Sequence, residues 1–135
     1  GSAATVNGSG NDYVAYCFKS VNGYASCGSY LGNSNADGAF VYTGFRPSFI
    51  LTKRTAGTGD WFLFDNKRLG YNVDNNAQKV NENYADDTGD DIDILSNGFK
   101  LRSSNSEINN IERMCYIAFA EFPIVSSNDV PVVAR

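Results

Sequence analysis

Aromatic and β-branched residues come in short runs along this chain, and Asn, Gly and Ser fill the spaces between them. Within several runs apolar and polar side chains alternate, the period of a strand with one buried face. No window places apolar residues at i, i+3, i+4, i+7 between caps, so the pattern predicts almost no helix. It predicts strands over residues 13–18, 24–31, 40–43, 49–53, 60–64, 91–95, 99–102 and 113–122. Residues 66–90 are rich in Asn and Asp and read as a long loop holding one short strand near 79–81. Asn22-Gly23, Asp37-Gly38, Pro47 and Gly57-Thr58-Gly59 supply the turns. Many short strands parted by turn residues define an all-β chain, an antiparallel β-sandwich of jelly-roll-like form.

Asn97-Gly98 predicts a two-residue type I′ hairpin, because both central positions of that turn need positive φ. The hairpin would set Ile94 opposite Leu101 and Asp93 opposite Arg102. Ile92, Ile94, Phe99 and Leu101 then share an inner face, and Asp91, Asp93, Lys100 and Arg102 point outward.

Two predicted strands lack a polar face. In residues 113–122, Met114, Tyr116, Ala118, Ala120 and Phe122 alternate with Cys115, Ile117 and Phe119. In residues 13–18, Tyr13, Ala15 and Cys17 alternate with Val14, Tyr16 and Phe18. Such a strand is expected to be covered on both sides, by loops or by other copies of the chain, so a closed homo-oligomer is expected.

With 135 residues, 42% of them hydrophobic, the chain fits one domain with a sufficient core. Gly1-Ser2 resembles the remnant of a cleaved tag; residues 1–12 are expected to be a flexible lead and 13–135 the single domain. No histidine is present, which removes Ser-His-Asp and Cys-His catalysis and His-ligated zinc. No run approaches the roughly 18 apolar residues of a membrane span, so no membrane insertion is expected. A net charge of −4 and scattered basic residues speak against nucleic acid. Cys17, Cys27 and Cys115 form an odd set without CxxC spacing and read as free thiols, Cys17 and Cys115 in apolar core surroundings. Free thiols suit synthesis in a reducing cytoplasm.

Several stretches together resemble a recurring domain of bacteriophage virion proteins. They are Tyr13-Val14-Ala15-Tyr16-Cys17-Phe18, Gly28-Ser29-Tyr30, the run from Phe40 through Thr43-Gly44-Phe45-Arg46-Pro47, Lys53-Arg54-Thr55, Leu95-Ser96-Asn97-Gly98-Phe99-Lys100 and Tyr116-Ile117-Ala118-Phe119-Ala120-Glu121. Trp61, Asp65, Arg68, Asn72 and Pro123 extend the likeness, which covers about residues 13–123. The chain departs from the pattern at Cys27, where an aromatic is expected, and at residues 109–112, where a Gly-rich turn is expected. The resemblance implies a tail-fibre or tail-associated module, often following a laminin-G-like sandwich, in the virion and made in the host cytoplasm. Virion proteins would be its partners, and the fibre likeness selects a homotrimer. It brings no catalytic residues and no cofactor.

Three functions follow in order: binding a host surface glycan or protein, a purely structural tail, knob or head-fibre role, and glycan cleavage. Receptor contact is expected in the loop after residue 64, through Asp65, Arg68, Tyr71 and Asn72, since loops carry function on rigid β scaffolds. Trp61 opens an apolar strand and reads as a core residue rather than a stacking platform. The acidic run over residues 86–93 offers the oxygen ligands calcium takes, yet lacks EF-hand spacing, and charge runs are ordinarily solvated; no metal is assigned. Carboxylate pairs suited to glycoside hydrolysis are not singled out by sequence, so the chain reads as non-enzymatic.

Overall fold

The computed structural model describes residues 6, 8–68, 72, 76–89 and 92–122. Eight strands form: β1 (Ala25–Leu31), β2 (Phe40–Tyr42), β3 (Pro47–Arg54), β4 (Trp61–Asp65), β5 (Gln78–Lys79), β6 (Ile92–Leu95), β7 (Gly98–Leu101) and β8 (Arg113–Ala120). A single turn of helix, α1 (Ser106–Asn109), precedes β8; the Asn105 side chain caps it by accepting the Glu107 N–H at 2.8 Å.

The strands make a five-stranded sheet ordered β1-β8-β3-β4-β5 and a three-stranded sheet ordered β2-β7-β6, every pairing antiparallel. The neighbours β1-β8-β3 and β2-β7 follow jelly-roll order, whereas β4 turns back beside β3 in the same sheet. The chain is thus the β-sandwich its pattern predicts. Pro47 stands at the start of β3, beside a register shift before Phe49, where its missing N–H breaks no ladder.

The core lies between the layers. Ile50, Phe62, Phe64, Met114 and Ala118 from the larger sheet meet Ile92, Ile94, Phe99 and Leu101 from the smaller, all at most 1% exposed. Three rings lock the sheets edge to face: Phe99 of β7 lies 5.9 Å from Tyr30 and 5.7 Å from Tyr116. The Tyr30 hydroxyl donates to the Ile108 carbonyl at 2.7 Å, and burial pushes its pKa well above the ordinary phenol value.

Several expectations need correction. The hairpin pairs Ile94 with Phe99 and Asp93 with Lys100, two residues from the predicted register. A slip of two keeps every side chain on its face, so the inner set stands and Arg102 still reaches Asp93, at 3.2 Å. Gly98 does not have positive φ; it opens β7, where an added Cβ would collide with the Val41 carbonyl oxygen of β2. Close strand approach, not turn geometry, calls for glycine there.

Residues 13–18 join no sheet. The Val21–Ala25 bridge begins a ladder toward them, but the Ser20 side chain interrupts it. Its Oγ accepts the Cys27 N–H at 2.9 Å and donates to the Cys27 carbonyl at 3.3 Å, turning the chain away from β1. Phe18 instead rests edge-on against Phe119 at 5.9 Å, on the outer face of the larger sheet. Cys17 is consequently exposed, and Cys115 is only half-buried because it lies on that outer face. Trp61, at the start of β4, is 37% exposed rather than a core residue.

Candidate functional site

The loop expected to contact a receptor begins at the end of β4. Asp65 folds the chain over itself: its Oδ1 accepts the backbone N–H groups of Lys67 and Arg68 at 2.8 and 3.0 Å. Arg68 then closes a clasp. Its Nε donates to Asp65 Oδ2 at 2.8 Å, its Nη1 to both Asp86 oxygens at 2.8 Å, and its Nη2 to Gln78 at 3.0 Å. Partial burial works against the guanidinium charge, and the bonds to Asp86 and Asp65 outweigh it, so its pKa sits above the ordinary value. Asn72 turns to the other sheet, where its amide spans the edge of β6, accepting the Ile94 N–H at 3.0 Å and donating to the Ile94 carbonyl at 2.8 Å. The structure therefore joins Asp65 and Arg68 and commits Asn72 to β6; Tyr71 lies outside the described residues.

A second charged cluster sits along β5. Lys79 reaches Asp60, Asp87 and Glu107 at 3.4, 3.3 and 3.7 Å and lies 5.1 Å from the Phe62 ring centre. The hydrogen bond from Asn81, and then Lys79, hold the Asp60 carboxyl below its ordinary pKa. Asp86 and Asp87 are thus matched to cations of the chain itself. Among the described residues, no group of three candidate ligands could hold a metal ion.

A different site emerges at one end of the sandwich. There the start of β1, the loop after β2, the turn from β6 to β7 and the end of β8 come together. Thr43 N–H donates to Asn97 at 3.0 Å, Glu121 N–H to the Arg46 carbonyl at 2.9 Å, and Arg46 pairs with Glu121 at 2.8 Å. Beside them opens a shallow cleft of about 410 Å3, lined by Lys19, Ser20, Val21, Asn22, Ala25, Ser26 and Thr43. The lining holds one cation, three hydroxyls, one side-chain amide and no carboxylate. Among the described residues the Lys19 ammonium has no ion-pair or hydrogen-bond partner, while Arg46, Arg54, Arg68, Lys79, Lys100 and Arg102 each have an acid. Sequence reasoning missed this cleft. A signal was present, since Lys19 is the single charged residue between Asp12 and Asp37.

Fold and site define a small antiparallel sandwich with a polar cleft at one end. The chain belongs to the family described as a domain of unknown function, DUF7483, whose match covers residues 1–123. No curated protein and no solved structure matches it.

Proposed function

We propose that the chain is a non-enzymatic module of a phage tail fibre or tail-associated protein that binds a host surface glycan or protein, assembled as a homotrimer. The end cleft carries this reading: a rigid sandwich holds an unpaired cation among neutral hydrogen-bonding groups, in a chain whose net charge is −4. That lining suits an acidic surface saccharide, the Lys19 ammonium meeting its carboxylate or phosphate and the Asn22 amide a ring hydroxyl, while the Ser20, Ser26 and Thr43 hydroxyls are held by Cys27, Tyr116 and Phe45 and shape the cleft wall. The ion-paired carboxylates support a non-enzymatic role. A general acid for glycan cleavage needs a raised pKa, which removes Asp37 and Asp60, held below the ordinary value by Lys100 and by Asn81, from that role.

The structural alternative draws on Asp65, Arg68 and Asn72, whose polar groups are spent inside the chain. An array of acidic and neutral bacterial polysaccharides separates the two. The receptor reading expects retention on acidic members and at least a tenfold loss with Lys19→Ala plus Asn22→Ala at unchanged thermal midpoint. Absence of retention on every array member and on bacterial cells favours the structural role.

A further inference from the structure

We propose that residues 14–18 of one copy pair as an antiparallel strand with the free edge of β1 in a neighbouring copy, so that copies join through their larger sheets. The inference concerns assembly and stands apart from the cleft and its ligand.

The donor is a strand-forming segment left without a sheet. Val14 and Tyr16 are 81% and 83% exposed and Phe18 is 53% exposed, and among the described residues the backbone of 14–18 enters no ladder. The acceptor is the outward side of β1. There Val21 takes the backbone of Ala25 and the Ser20 hydroxyl takes that of Cys27, while the outward groups of Ser29 and Leu31 have no backbone partner among the described residues. The edges at β5 and β6 are managed differently. Arg68 and Lys79 pin the chain beyond β4 to that sheet, and the Asn72 amide caps β6.

The chain's own segment is diverted from this edge by Ser20, so a second copy is the matching occupant. Continuing the register of the Val21–Ala25 bridge sets Phe18 opposite Gly28, Cys17 opposite Ser29 and Tyr16 opposite Tyr30. Gly28 has no side chain of its own, and a Cβ there would lie 3.0 Å from the Tyr116 ring. An aromatic from the added strand would cover that bare, ring-backed position. The exposed fractions of Val14, Tyr16 and Phe18 amount to roughly 400 Å2, and with an equal area of covered edge to roughly 800 Å2 per junction, a contact that gains strength by repetition in an assembly. Donor and acceptor surfaces differ, so the contact is heterologous, the kind that builds a ring when its rotation closes.

Cross-linking tests this directly. A hydrogen-bonded antiparallel pair spaces its Cα atoms about 5.5 Å apart, within disulfide range. With Cys27→Ser and Cys115→Ser leaving Cys17 alone, Ser29→Cys should give disulfide-linked species of two or more chains under mild oxidation. An intrachain Cys17 linkage to position 29, or no linkage, overturns the proposal. Ala15→Pro provides an independent check, because it removes a backbone N–H the single chain does not use in any ladder. It should leave circular dichroism and thermal midpoint unchanged while lowering the mass by light scattering to 14.7 kDa. An assembly that survives Ala15→Pro, or an unsubstituted chain of 14.7 kDa at micromolar concentration, also overturns it.

Discussion

Residues 13–18 and β8 carry the same sequence pattern and meet opposite fates. Both are apolar on both sides. In β8 each residue from Arg113 to Phe119 has a partner on β1, and from Met114 onward β3 supplies a second along most of the strand. Its inward residues Met114 and Ala118 are fully buried, and its outward Cys115, Ile117 and Phe119 are half-covered. Residues 13–18 have no neighbouring strand among the described residues; Phe18 rests on Phe119, and Val14 and Tyr16 are more than 80% exposed. Periodicity thus reports that a segment requires two covered faces; it does not say which chain supplies them. In the proposed assembly, the exposed pattern beside the open edge of β1 is completed by a neighbouring copy.

The contrast breaks most sharply under charge. Ala118→Asp buries a carboxylate in the core without a partner and is expected to cost roughly 3–5 kcal/mol, a large part of the stability of a small domain. Tyr16→Asp should leave single-chain stability within about 0.5 kcal/mol, since that side chain is in water, while preventing assembly. Urea midpoints at low concentration measure both.

A second substitution pair compares a closed ladder with the open edge. Gly98→Ala drives a methyl into the Val41 carbonyl and should cost about 2–3 kcal/mol. Gly28→Ala brings a methyl to 3.0 Å from the buried Tyr116 ring, which must give by a few tenths of an ångström against Phe99, so about 1–2 kcal/mol is expected. Equal losses would mean that the β1 edge is as tightly packed as the interior.

Between these extremes lies the clasped edge. Arg68→Ala releases the chain beyond β4 and is expected to cost about 1 kcal/mol, since its ion pairs are partly solvated. Chelator treatment should leave the thermal midpoint in place, because Asp86 and Asp87 are neutralised by Arg68 and Lys79. A clear drop on chelation would return the acidic run to the role of a cation site.

The smallest effect is acid dependence. Asp60 has a folded pKa lowered by Asn81 and then Lys79, so its contribution is complete above its unfolded pKa and disappears as pH falls through the folded value. Asp60→Asn should therefore differ from the unsubstituted chain at pH 7 and converge with it below about pH 4. A gap that persists into acid would show that the side chain acts through packing instead.

Much of this architecture was legible in the residues. Alternation located seven of the eight strands, though it also placed one over 13–18 where none forms, and it assigned the inner faces of β6 and β7, because a sheet's side-chain period survives a register error of two. Asn97-Gly98 misled on the turn: Gly98 answers to β2, a neighbour distant in sequence. The residue pattern of 109–112 gave no hint that Asn109 would be buried, with its amide donating to Asn33, Asn35 and Ser103 at 2.8 to 3.1 Å. Arg68 and Asn72 were legible as polar loop residues, but their partners Asp86 and Ile94 are chosen by the fold. The Lys19 cleft needs strand ends far apart in sequence to meet, which local patterning does not report.

Amide hydrogen exchange across a concentration series tests the central claim most directly, that residues 14–18 become a strand only on a neighbour. The account predicts slow exchange at these amides when the protein is assembled, fast exchange on dilution, and β8 protected throughout. Fast exchange at 14–18 at every concentration would contradict it, and so would protection that persists in the isolated 14.7 kDa chain.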